Sequence, residues 1–257
     1  MYFFFSHLSF LDICYSSVIT PKLLEILVVK TELPPSMDAC QFFFGCACVI
    51  TEMFMLAVMA YDQFVALCNP LLYMVPMSHK LCALLVAGTY LWGVLCSVTL
   101  TNSLVGLSYC GSIINHFGCE YSAILSLSCS DPSFSQMACF IISTFNEACS
   151  LLIIMAPYIF FFATVIRMPS KGGLQKAFST CTSHPTAISI FHGIILLLHC
   201  VPHDKSSWFL VKVATALNTI MIPMLNPLIY SLRNKDVKKT VRRLIHAKLY
   251  SFHIKFR

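Results

Sequence analysis

The sequence predicts an all-α protein, a multi-pass bundle of transmembrane helices. Three observations carry that prediction. Of 257 residues, 58% are apolar and only 11% charged, against roughly 25% charged in a soluble domain; so few polar side chains cannot coat a water-facing surface. Six apolar windows recur, each near the ~20 residues that cross about 30 Å of hydrocarbon as a helix. Lys and Arg gather in alternate connecting segments, as on the cytoplasmic side of membrane proteins. The net charge of +6 comes largely from the C-terminal run, which suits lipid headgroups and speaks against nucleic acid as a partner.

The first span, about 2–27, is interrupted by His7, Asp12, Lys22 and Glu25, and its Tyr2-Phe3-Phe4-Phe5 start reads as an interfacial aromatic belt. It is no signal peptide, because no basic segment precedes it. The second span, about 41–61, holds Glu52, and the third, about 81–104, has no charged residue from Leu81 to Thr101. The fourth, about 136–163, contains Glu147 and a Pro157 that would kink it. The fifth and sixth fall near 176–200 and 208–231.

Lys80, then Arg167, Lys171 and Lys176, then nine basic residues after span six fall on one side, while the 105–135 segment has neither Lys nor Arg. The tail is therefore expected in the cytoplasm and the 105–135 segment outside. Six spans then put Met1 inside too, so a further element before Met1 is expected. Residues 1–232 form the bundle and 233–257 a basic tail. In that tail Val237, Val241, Leu244, Ile245 and Leu249 recur at helical spacing, as an amphipathic helix on the inner leaflet.

The chemistry-bearing motifs of soluble enzymes are absent: no GxGxxG, P-loop, HExxH, GxSxG or CxxC occurs, and no enzyme activity is expected. Cys46 and Cys48 lie in an apolar span and read as packing residues. Cys110, Cys119 and Cys129, with Cys40 at the outer entrance of span two, sit where disulfides form; four such residues allow two bridges in three connectivities. Ionisable groups inside a membrane are costly and read as functional candidates. Asp12, with Asn226 and Pro227, suggests a polar cluster holding water or Na⁺, or interhelical hydrogen bonding alone; no other cofactor or metal is expected. Glu52 and Glu147 either face a ligand cavity or are bonded to a neighbour.

Four blocks closely match one family. The run Met59-Ala60-Tyr61-Asp62-Gln63-Phe64-Val65-Ala66-Leu67-Cys68-Asn69-Pro70-Leu71-Leu72-Tyr73 resembles the inner end of the third helix of olfactory (odorant) receptors, family A G-protein-coupled receptors. Lys176-Ala177-Phe178-Ser179-Thr180-Cys181-Thr182-Ser183-His184 resembles their sixth-helix start. Pro223-Met224-Leu225-Asn226-Pro227-Leu228-Ile229-Tyr230-Ser231-Leu232-Arg233-Asn234 resembles the end of their seventh, and Leu8-Ser9-Phe10-Leu11-Asp12 their second.

The resemblance implies a seven-helix receptor fold in which the six spans are helices two to seven, without the first helix and the glycosylated segment before it. It implies that a small volatile organic ligand binds among Gly45, Cys46, Val49, Ile50, Ile142, Asn146, His192, His199, Ala216 and Thr219. It places G-protein coupling and switching on Asp62, Gln63, Phe64, Tyr158, Asn226, Pro227 and Tyr230. The implied partner is a stimulatory, olfactory-type heterotrimeric G protein that raises cyclic AMP, and the implied location is the plasma membrane. The implied bridges are Cys40–Cys119 and Cys110–Cys129. Cys40 stands 22 residues before Asp62, about two fewer than the family spacing, and two helical residues turn a side chain by roughly 200°.

The sequence departs from the family where Gln63 replaces the Arg of Asp-Arg-Tyr, where His192 and His199 replace Tyr, and at Pro157 and Pro185. A Gln supplies neither the charge nor the fork geometry of a guanidinium. A truncated, signalling-incompetent family member is the alternative these departures suggest. A small transporter or channel is a weaker one, since no inverted repeat or ring of acids marks it.

Overall fold

The computed structural model describes residues 2–28, 35–68, 77–110, 121–125, 128–166 and 183–200, with isolated positions at 210, 213, 214 and 217. In chain order the helices are α1 (Tyr2–Val28), α2 (Pro35–Cys68), α3 (His79–Val105), a short α4 (Tyr121–Leu125), α5 (Ser133–Ile166) and α6 (Ser183–Cys200). The only β pairing among the described residues is an isolated antiparallel bridge between Tyr109 and Ser128. Among the described residues four helices, α1, α2, α3 and α5, are long and apolar enough to cross a membrane.

α3 shows why the sequence folds this way. Its buried residues, Val86, Thr89, Gly93, Cys96, Ser97, Leu100 and Leu104, recur every three or four positions on one stripe. That stripe is mostly small, while the exposed face carries Leu84, Leu91, Val94, Leu95, Val98 and Val105. Small residues inward and large apolar residues outward reverse the pattern of a water-soluble helix and match a helix packed on neighbours within lipid. Ser78, in an extended conformation, starts the helix: its Oγ accepts from the Leu81 N–H at 3.3 Å, satisfying one of the free first-turn donors.

α2 is the central element and packs against α1, α3 and α5. Its contact with α3 is backbone-close. A Cβ on Gly93 would overlap Thr51 Oγ1 and come within 2.9 Å of the Ala47 carbonyl oxygen, and Ser97 Oγ donates to the Phe43 carbonyl. The main core joins Phe4, Leu8, Leu11 and Tyr15 of α1, Met53, Met55 and Leu56 of α2, Val86 of α3, Ile154 of α5, and Ile188, Phe191 and Ile195 of α6.

Two helices differ from the sequence expectation. α2 extends past the expected 41–61 at both ends, and its 34 residues span about 51 Å at 1.5 Å per residue, more than the hydrocarbon core. The C-terminal overhang passes through Asp62 and Gln63 into the apolar run Phe64-Val65-Ala66-Leu67-Cys68. α5 also exceeds its expected 136–163, with 34 residues, and runs through Pro157 as that span implied; the ring leaves the Ile153 carbonyl without its helical donor. The spans expected at 2–27 and 81–104 coincide closely with α1 and α3. Residues 176–182, most of the 208–231 span and the basic tail lie outside the described residues.

Candidate functional site

The expected ligand-binding residues fall on three helices. On α2, Ile50 is buried and Gly45, Cys46 and Val49 are half-buried, with Val49 against the main core. On α5, Ile142 is half-buried and Asn146 fully buried. On α6, His192 is buried; His199 belongs to α6, but its side chain is outside the described residues, as are Ala216 and Thr219.

Two polar connections cross this part of the bundle. Trp92 Nε1 of α3 donates to Asn146 Oδ1 of α5 at 2.7 Å, and Asn146 Nδ2 donates to Cys96 Sγ at 3.8 Å. Asn146 therefore has both ends of its amide engaged by α3 and ties two helices together. One residue further, Glu147 Oε1 lies 2.9 Å from His192 Nδ1, linking α5 to α6. Glu147 is 4% and His192 2% exposed. Glu147 Oε2 and His192 Nε2 are also buried and have no hydrogen-bond partner among the described residues. Of the two readings open for Glu147, the bonded one describes Oε1, while Oε2 stays unpaired.

Sequence reasoning did not single out Trp92. The signal was there, since an indole N–H inside a bundle requires an acceptor. Gly93 was also missed, and only the helix crossing reveals it.

At the other end of α2, Asp62 and Gln63 are buried, and Phe64 faces Phe160 of α5 with ring centroids 6.3 Å apart. Tyr158 packs on the main core. Asn226, Pro227 and Tyr230 lie outside the described residues. Asp12 is buried on α1. No three His, Cys, Asp or Glu side chains gather around a metal position among the described residues, and Asn226, the other member expected at a Na⁺ cluster, is not among them.

Over the Cys110–Cys129 end, the chain is tied down. The disulfide joins residues with Cα atoms 5.7 Å apart, and Cys129 N donates to Ser108 O at 2.9 Å. Tyr121 OH donates to the Ser135 carbonyl at 2.8 Å, and Ser135 Oγ to the Ser103 carbonyl at 2.9 Å, so α3, α4 and α5 meet in one network. Burial raises the Tyr121 phenol above its ordinary value, so it stays a protonated donor. Cys40, implied to bridge to Cys119, carries a free, exposed thiol. Cys119 lies outside the described residues.

A family model described as "Olfactory receptor" matches residues 1–248. The chain is 76% identical over 252 residues to olfactory receptor 1165 of Mus musculus, covering 97% of this chain and 79% of that one. It is 57% identical over 254 residues to olfactory receptor 5D18 of Homo sapiens, covering 98% and 81%. It is 47% identical to olfactory receptor 5L2 of Homo sapiens over 253 residues, covering 98% and 81%.

Proposed function

The chain belongs to the olfactory receptor family, whose members are multi-pass membrane receptors of the seven-helix type and not enzymes, and from that premise we propose that it is an odorant receptor coupled to a stimulatory, olfactory-type G protein. A small volatile organic molecule binds among Gly45, Cys46, Val49 and Ile50 of α2, Ile142 and Asn146 of α5 and His192 of α6, with His199, Ala216 and Thr219 completing the site. Apolar side chains supply burial and dispersion, and the few polar groups orient the ligand.

Binding favours a state in which the cytoplasmic end opens to the G protein, through Asp62, Gln63, Phe64, Tyr158, Asn226, Pro227 and Tyr230, and cyclic AMP rises. The receptor sits in the plasma membrane with its basic tail in the cytoplasm. The observation that supports this reading is the family match along residues 1–248. Expression with a cyclic-AMP reporter and a panel of volatile ligands tests it. A dose-dependent rise is expected; silence to the whole panel despite verified surface delivery rejects coupling.

A further inference from the structure

Helix α6 is held at its middle. Its described buried side chains, Ile188, Phe191, His192 and Ile195, lie on one stripe about two turns long. Ser183 begins the helix nine residues before His192, and Cys200 ends it eight residues after, so at 1.5 Å per residue it extends about 13 Å to one side of His192 and about 12 Å to the other. Among the described residues the polar contact of that stripe with α5 is His192 Nδ1 at 2.9 Å from Glu147 Oε1, and both residues are buried.

Glu147 stands on a fixed base. It follows Asn146, whose amide is engaged by Trp92 and Cys96 of α3. About three turns away, Ser135 Oγ donates to the Ser103 carbonyl, so α5 is tied to α3 at two levels.

The contacts of α6 differ in how they yield. Apolar side chains of two helices in lipid are not driven together by the hydrophobic effect, because lipid tails are as apolar as they are, and they tilt past one another at small cost. A hydrogen bond buried there finds no water to replace it when it breaks, so it fixes one point while the surfaces on either side move. At 2.9 Å a proton lies between the two atoms, and the bond holds the helices alike whether that proton sits on the ring or on the carboxyl group.

We infer that the Glu147–His192 bond is the pivot of α6: the helix tilts about it as a lever, so that a displacement of the arm ending at Cys200 moves the arm starting at Ser183 the opposite way. This deepens the receptor reading and rests on it for what the lever connects, the His199 end of the ligand site on one arm and the cytoplasmic opening on the other. Glu147 is the positioning residue of the lever.

The test reads distances by electron-spin resonance in the full chain in lipid nanodiscs, without ligand or G protein. The chain holds 14 Cys, so the spin labels are carried on introduced p-acetylphenylalanine. They go in three α5–α6 pairs: Ile141 with Leu197 on the Cys200 arm, Ala148 with Gly193 beside the bond, and Leu152 with Thr186 on the Ser183 arm. Ile141, Ala148, Leu152, Gly193 and Leu197 are exposed, and an added Cβ at Gly193 meets nothing within 4 Å.

The distance distribution is expected to be narrowest for the middle pair and broader for the other two. Glu147→Gln keeps that profile, because an amide donates to Nδ1 or accepts from it equally well. Glu147→Leu, close in size but unable to bond, broadens the middle pair to match the others. Glu147→Leu/His192→Phe leaves neither partner buried alone, which guards against misfolding, and broadens it likewise. A merely structural bond would lower the melting temperature of both apolar variants without erasing the difference between middle and ends. Equal widths at all three positions in the parent, a middle pair that stays narrow in both apolar variants, or Glu147→Gln as broad as Glu147→Leu overturns the inference. Since neither ligand nor cyclic AMP enters the measurement, a failed pivot leaves the receptor reading standing, and silence to volatile ligands leaves the distances unchanged.

Discussion

The Trp92 indole N–H and the Asn146 side-chain oxygen meet at 2.7 Å between α3 and α5. Asn146 is 2% exposed, so loss of the indole leaves a buried acceptor unpaired. Trp92→Phe is expected to lower stability by about 1 kcal/mol, and a double-mutant cycle with Asn146→Leu to give a coupling near the average of about 0.6 kcal/mol for interhelical hydrogen bonds in membranes, whose maximum is about 1.7 kcal/mol. Unfolding in detergent measures both. A coupling indistinguishable from zero counts against the contact.

Gly93 and Gly88 lie on one helix but predict opposite results. At Gly93 an added methyl meets Thr51 and the α2 backbone, whereas at Gly88 nothing lies within 4 Å. Gly93→Ala should cost about 1–3 kcal/mol. Gly88→Ala should be neutral or stabilising by up to about 1 kcal/mol through helix propensity. Melting temperatures of the two variants, compared side by side, decide the matter.

The Cys110–Cys129 bridge spans a sequence separation of 19, and closing such a loop stabilises by about 3 kcal/mol in the chain-entropy treatment. Cys110→Ser should therefore lower the melting temperature clearly, and a reductant should do the same to the parent but not to the variant. Cys40→Ser should change stability by less than about 0.5 kcal/mol, because that thiol is free and exposed. A large loss at Cys40 would show that it is bridged after all.

Asp131 is exposed, and its carboxylate accepts from the Ser133 side chain and from the Ser133 N–H at 3.0 Å at the start of α5. These bonds, the side-chain one foremost, hold its pKa below the ordinary 3.8. A carboxyl group whose folded value is depressed stabilises the fold fully above the unfolded value, and that contribution is lost as pH falls through the folded one. Amide exchange at Ser133 should therefore quicken as pH drops below about 4 relative to Asp131→Asn. Identical profiles for parent and variant would remove the carboxylate from the account.

Gln63, buried beside Asp62, stands where the family carries an always-charged side chain. Gln63→Arg should raise the maximal ligand-stimulated cyclic-AMP signal several-fold without reordering ligand potencies. An unchanged maximum places the limit on coupling elsewhere.

Much of the bundle was legible in the sequence because hydrocarbon imposes long apolar segments. α3 could be bounded to within a few residues, since its apolar run starts just after Ser78 and Lys80 and gives way to Thr101-Asn102-Ser103 and Gly106. The overhangs of α2 were not legible: Asp62 and Gln63 carry no apolar signal, though the helix continues through them to Cys68. At the site, the residue types were visible but their partners were not. Nothing in the spacing of Trp92, Asn146, Glu147 and His192 says which helix each faces, because pairing depends on the rotation of one helix against another. The Cys110–Cys129 bridge followed from the family resemblance, whereas the partner implied for Cys40 lies outside the described residues.

The close crossing at Gly93 divides the mechanical roles within the molecule. With backbone pressed on backbone and Ser97 bonded to the Phe43 carbonyl, α2 and α3 form a stiff chassis that tolerates neither sliding nor splaying. Among the described residues α6 is held instead by side chains alone, the apolar Ile188, Phe191 and Ile195 and the bond from His192 to Glu147, so the two joints differ in kind: one is set by backbone shape, the other by side-chain identity.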